Sequence, residues 1–220
     1  ICENTPAYAV NNKSYTLKDT RDNKNYTIRK LPDGKCWMVT NLALDLNGKT
    51  LTRETSNADW ASTTGASGIW QDTDCQTNPV NCNITKYYAG SPAYLYSWGA
   101  ATAGQAATIT RTSGATQDIC AKGWKLPSRA EFEALIASGM NTTVIAQGVP
   151  YSFSMTGFIY NGKNWLNDGQ NHNRSEGRFW SGTAHDVTHA YRLALAFTDS
   201  LMDVGSDGRF VGCAVRWIAK

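Results

Sequence analysis

In CAKGWKLPSRAEFEALIASGM, residues 120–140, Ser128 and Glu131 stand three apart as a capping box, Phe132, Leu135 and Ile136 fall on one helical stripe, and Gly139 follows as a stop. The spacing predicts a helix over 128–138. The text around it has the period of strands. YTIRKL and KCWMV flank Pro32-Asp33-Gly34 as a hairpin, and GFIYNGKNWLN turns at Asn161-Gly162. GRFWSGT, AYRLALAF and FVGCAVRWI then follow, the last two separated by a polar turn at Ser206-Asp207-Gly208. Tyr94, Leu95, Trp98 and Ala101 sit near helical spacing within 87–103 and predict a second, short, buried helix. Residues 47–83 read as a long irregular region rich in Thr, Ser, Asn, Gly and Asp. Helices set beside antiparallel strands, without βαβ alternation, make the expected class α+β.

A chain of 220 residues is long enough for one full hydrophobic core, and a single domain spanning 1–220 is expected. The net charge of +3 is spread along the sequence without a Lys/Arg cluster, which argues against nucleic acid or an anionic membrane surface as partner. No apolar run approaches the roughly 20 residues of a membrane span. The text opens on Ile1 without Met or a signal peptide, as a mature or trimmed ectodomain would. The six cysteines contain no CxxC, which argues against zinc ribbons and thioredoxin chemistry and favours disulfides in an oxidising compartment. Cys75 and Cys82 flank QTNPVN and are expected to close that loop. Connectivity among the other four stays open, with Cys2–Cys36 and Cys120–Cys213 the expected arrangement.

Six stretches taken together carry a resemblance: DGKCWMVTNL (33–42), AYLYSWGAA (93–101), ICAKGWKLPSRAEFEAL (119–135), GRFWSGTA (177–184), AYRLALAF (190–197) and GCAVRW (212–217). In order and spacing the chain resembles the Fibrobacter succinogenes major paralogous domain family of extracellular domains. The CxKGWxLPSxxEF run is also similar to the core helix of sulfatase-modifying-factor domains and, more distantly, to the C-type lectin fold. The resemblance implies a C-type-lectin-like fold with paired N- and C-terminal strands, two helices, and long irregular loops bearing a ligand surface. The chain departs from the family at its end, where a pattern like G-F-x-V-R-C is usual. Here Cys213 stands at the aromatic's place and Trp217 at the cysteine's, which puts the Cys120–Cys213 pairing in question.

HDVTH, residues 185–189, has the two-histidine spacing of a zinc protease, but β-branched Val187 and Thr188 and the alternating text that follows argue for strand or loop. No metal or other cofactor is implied. No catalytic constellation is found, so the chain is expected not to be an enzyme. C-type lectins bind sugar through calcium with Trp-Asn-Asp, whereas here Leu166 interrupts Trp165 and Asn167-Asp168. A carbohydrate- or cell-wall-binding module stacking sugars on Trp60, Trp70 or Trp165 is a second reading. A remote sulfatase-modifying-factor-like oxidase is a third.

Some lectin-fold domains similar to this family are the variable proteins of diversity-generating retroelements, whose adenine-templated codons lie near the 3′ end of the gene. Laid on that pattern, the candidate variable segment is 177–217 and the candidate ligand-contacting residues are Arg178, Phe179, His185, Val187, His189, Ala194, Ala196, Asp199, Leu201, Asp203, Phe210 and Val211. Strand alternation and turn position expose most of these, while Trp180, Leu193, Leu195, Val215 and Trp217 read as scaffold. Phe179 and Phe210, with Arg178 and Arg209 beside them, would anchor such a face. The expectation is an extracellular or cell-surface protein that binds a macromolecule, with protein the first choice of ligand and carbohydrate the second.

Overall fold

The structure is a computed structural model describing residues 2, 13–44, 94–103, 109, 113–160, 163–165, 176–196 and 202–220, with 159, 160 and 163–165 described through their backbone alone. It is α+β. Strands β1 (Ser14–Lys18), β2 (Asn25–Lys30) and β3 (Cys36–Met38) form an antiparallel meander, with Arg29 opposite Trp37 across the Pro32-Asp33-Gly34 turn. The last strand, β10 (Ile218–Ala219), inserts between β3 and β4 (Trp124–Lys125), giving the order β1-β2-β3-β10-β4. The two ends of the described chain therefore share one sheet. Cys2 and Cys36 form a disulfide, as expected.

Three helices are described: α1 (Trp98–Ala101), α2 (Arg129–Ala137) and α3 (Thr143–Gln147). In α2 the Ser128–Glu131 capping box is complete, with Phe132 and Leu135 fully buried. The short helix predicted within 87–103 shrinks to one turn, because Tyr96 is already extended and exchanges both backbone hydrogen bonds with Cys213. The sequence reading missed α3. Its TVIAQ text is β-branched and low in helix propensity, and the Thr142 side chain caps it by accepting from the Ile145 amide.

Glu131 does more than cap its helix. Lys35 of the β2–β3 turn and Lys125 of β4 reach its carboxylate at 2.8 and 2.9 Å, and the Ser128 amide donates at 2.7 Å. Burial alone would raise its pKa, but these bonds together outweigh it and hold the group at about 2. A folded pKa below the unfolded one stabilises fully above the unfolded value near 4.5 and is lost as pH falls towards 2. Allowing for the half-exposed lysines, the loss should be about 2 kcal/mol. Urea midpoints of the native chain and Glu131→Gln should differ at pH 6 and converge near pH 2; a gap that persists there would refute the assignment.

The C-terminal region holds a pair, β5 (Phe158–Tyr160) with β6 (Lys163–Trp165), and a three-stranded antiparallel sheet of β7 (Glu176–Ala184), β8 (His189–Ala196) and β9 (Met202–Gly208). Here one prediction fails. Ser206-Asp207-Gly208 is the end of β9, paired with His189–Tyr191, and the chain turns only at 209–210. From there residues 211–217 run extended between β7 and the 38–42 and 96–98 segments: Trp180 and Leu42 donate to Ala214 and Val215, and Met38 to Trp217. The Trp180 and Phe179 side chains point to opposite sides of β7, into two different buried clusters. The first cluster contains Trp98, Trp180 and Trp217; the second contains Trp37, Phe132, Phe153 and Phe179.

Candidate functional site

The β7–β8–β9 sheet gathers most of the described candidate residues into two groups at opposite ends. In register across the strands, Arg178 faces Ala194, which faces Asp203, and Glu176 faces Ala196. This group carries a charge network. Arg178 pairs with Glu176 and Asp207, both at 2.9 Å, while its guanidinium lies 3.4 Å over the Phe158 ring. Arg192 pairs with Asp203 at 2.8 Å and Asp207 at 3.1 Å. Burial would lower the Arg192 pKa, but the two carboxylates outweigh it and raise it. The network explains why β9 looks like a turn. Asp207 and Asp203 are there for the arginines, and a Cβ at Gly205 would lie 2.5 Å from Asp203 Oδ2 and 2.9 Å from Arg192 Nη1. A side chain at 205 would displace the ends of that ion pair.

The second group is the β7–β8 connection, His185 to His189. Asp186 organises it: Oδ1 accepts from the Thr188 amide and hydroxyl at 2.7 and 2.8 Å and from the His189 amide at 2.7 Å. The Nδ1 atoms of His185 and His189 lie 2.9 and 3.1 Å from the same carboxylate. These bonds, the Thr188 amide first, hold the Asp186 carboxyl well below the usual range. Beneath the loop, Arg209 donates to the backbone carbonyls of Asp186, His189 and Ile109 and stacks on Trp98. Outside, Val187 is 60% exposed, and His185 packs against Tyr191, which Arg129 covers in turn. The loop backbone is thus fixed from within, while the side chains of His185, Val187 and His189 face solvent. The two histidines serve a carboxylate turn and lie on no helix. Among the described residues no group of three His, Cys, Asp or Glu is placed to hold a metal.

Several expected exposures are corrected. Phe179, Val211 and Ala194 are buried, as is Arg209. Phe179 fails as a surface anchor because β7 is covered on both faces, its ring meeting Phe153 edge-on at 4.9 Å. Val211 lies on the inward extended segment, and Ala194 lies beneath the arginine network between Arg178 and Asp203. Phe210 is half-buried and packs against the first cluster. Asp199, Leu201, Cys75, Cys82, Trp60 and Trp70 lie outside the described residues, as do Leu166, Asn167 and Asp168.

The expected Cys120–Cys213 bridge is not formed; both are buried free thiols. Different charges act on them: Asp118, Arg21 and Lys220 on Cys120, and Asp207, Arg178 and Arg192 on Cys213. Arg21 also donates to the Ile119 carbonyl and lies 5.3 Å over the Trp217 ring, so Cys120 sits at the Trp217 end of the last extended segment. Four extended residues span about 13 Å, beyond the Cα separation of roughly 4.4–6.8 Å that a disulfide allows. Cys120 and Cys213 therefore stay unbridged. Burial pushes both thiols well up in pKa. Peptide mapping after iodoacetamide should find Cys120 and Cys213 alkylated only in the unfolded, unreduced chain; labelling of either in the native state would contradict this placement.

Compared with known proteins, the chain matches no protein-family model, no curated protein and no solved structure. The sequence reading named the exposed loop residues but missed their supports, Asp186 and Arg209. An Asp two residues before a Thr, in the Asx-turn manner, was the available signal for the first; nothing local marks the second.

Proposed function

We propose that this is a non-enzymatic extracellular or cell-surface binding protein that engages a macromolecular ligand, first of all a protein, through the β7–β8 loop and the adjoining sheet edge. The observation that carries the reading is a loop held by Asp186 and Arg209 while presenting His185, Val187 and His189 outward. Such a loop loses little conformational entropy on binding and can change its outward side chains at little cost in stability. The Cys2–Cys36 disulfide supports an oxidising compartment. Two raised, buried thiols weigh against the sulfatase-modifying-factor-like oxidase, which needs a reactive cysteine.

The same separation of support from display suits a retroelement variable protein in a C-type-lectin-like fold. Deep sequencing of the coding DNA and its flanks across one natural population tests this. Substitutions should concentrate at 178, 185, 187, 189, 196 and 203, spare Phe179, Trp180, Asp186, Arg209 and Val211, and be matched by a nearby template copy. A segment as uniform as 128–138, with no such copy, would overturn diversification and leave a fixed ligand to be sought.

A further inference from the structure

Sharing no residue with that loop, β2, the 39–43 segment, residues 152 and 154 and Arg216 line an open cleft of about 500 Å³. That is within the range of pockets that hold small organic ligands. At its wall lies Arg216, 1% exposed. Its Nε donates to Asn41 Oδ1 at 2.7 Å, and its terminal nitrogens donate to the Tyr151 and Ser152 carbonyls. The guanidinium stacks on Phe153 at 4.1 Å. All of these partners are neutral, and Arg216 forms no ion pair among the described residues. A buried cation without a counter-charge is costly, and the cost shows as a pKa lowered to about 9, by burial first and then by neighbouring Arg29. Three bonds also leave two of the five guanidinium hydrogens unassigned.

The rest of the lining is mostly apolar surface, with a few polar groups set into it. Asn41 turns its carbonyl to Arg216, and its amino group donates to Ser154 Oγ at 2.9 Å. Ser152 Oγ accepts from Arg29, and Thr40 Oγ1 accepts from the Thr27 amide. In all three hydroxyls a lone pair is engaged by the protein, which leaves the O–H proton as the group to offer a ligand. Lys24, also in the lining, holds the Ala43 carbonyl and lies 3.7 Å from Asp22. No Asp or Glu is among the described lining residues. Tyr26, Val39 and Ala43 add apolar surface, and Asn25 is also among the described lining residues.

We propose that this cleft is a binding site for a small hydroxylated carboxylate of sugar-acid size, its anionic group facing Arg216 and its hydroxyls met by Thr40, Asn41, Ser152 and Ser154. The site is separate from the β7–β8 loop and stands whether or not that loop binds anything. Calorimetric titration of the whole chain with glucuronate, acetate, inorganic sulfate and glucose provides the test. Glucuronate should bind saturably, at least tenfold tighter than acetate or sulfate, with no saturation by glucose. Ser154→Ala and Lys24→Gln, neither of which removes the buried guanidinium, should each weaken glucuronate at least fivefold while leaving the unfolding midpoint near that of the native chain. Glucuronate binding no tighter than glucose, or binding unchanged in both variants, would overturn the proposal. Equal affinity for sulfate and glucuronate would overturn its organic half and reduce the site to a simple oxyanion pocket.

Discussion

Phe179→Ala should destabilise the protein by about 4 kcal/mol, while Val187→Ala, a few residues along the same hairpin, should stay within about 0.5 kcal/mol. Phe179 is fully buried against Phe153 and lies 5.4 Å from the Arg216 guanidinium, so truncation loses both transfer free energy and a well-packed edge-to-face contact. Val187 is mostly in water and its loop backbone is held by Asp186, so its methyls contribute almost nothing to folding. Urea unfolding of the two variants under one buffer checks the contrast. A small effect at Phe179 would return it to the surface face; a large one at Val187 would mean that its side chain is part of the scaffold.

Arg216→Met should cost about 3 kcal/mol in the same assay, and here two large effects oppose each other. Removing the guanidinium orphans the Tyr151 and Ser152 carbonyls and Asn41 Oδ1, each worth about 1–3 kcal/mol when buried without a donor. Against this, a cation whose pKa has been pulled down to about 9 no longer has to be buried, which recovers part of the loss. Methionine keeps contact with Phe153 and Phe179, so no large cavity should add to the figure. A neutral or stabilising outcome would show that the charge is a structural liability, retained for something other than folding. That result would strengthen the case for an anionic ligand in the adjacent cleft.

Features with local causes were legible in the text. The α2 helix follows from Ser128, Glu131 and the Phe132/Leu135 stripe, all within one short segment, and the β2–β3 hairpin follows from a turn tripeptide between alternating runs. The α+β class was readable for the same reason. Where side-chain choice answers to partners distant in sequence, local reading misleads. Ser206-Asp207-Gly208 looks like a turn because the partners of Asp207, Arg178 and Arg192, are invisible from positions 206–208. Phe179 looks exposed because alternation assumes a strand with one wet face, yet β7 lies between two clusters; the adjacent Phe179-Trp180 pair was the hint that both faces are dry.

The candidate site divides along the same line. The sequence by itself determined that residues 185–189 form a non-helical connection rich in polar side chains and that Trp180 and Trp217 are scaffold. Only the tertiary structure decided that Asp186 and Arg209 hold the loop from beneath, that Phe179 and Val211 are interior, and that Arg216 lines a cleft with no carboxylate among its described residues. The physical reason is range. Capping and alternation act over a few residues, whereas burial and charge neutralisation depend on which distant segments the fold brings together.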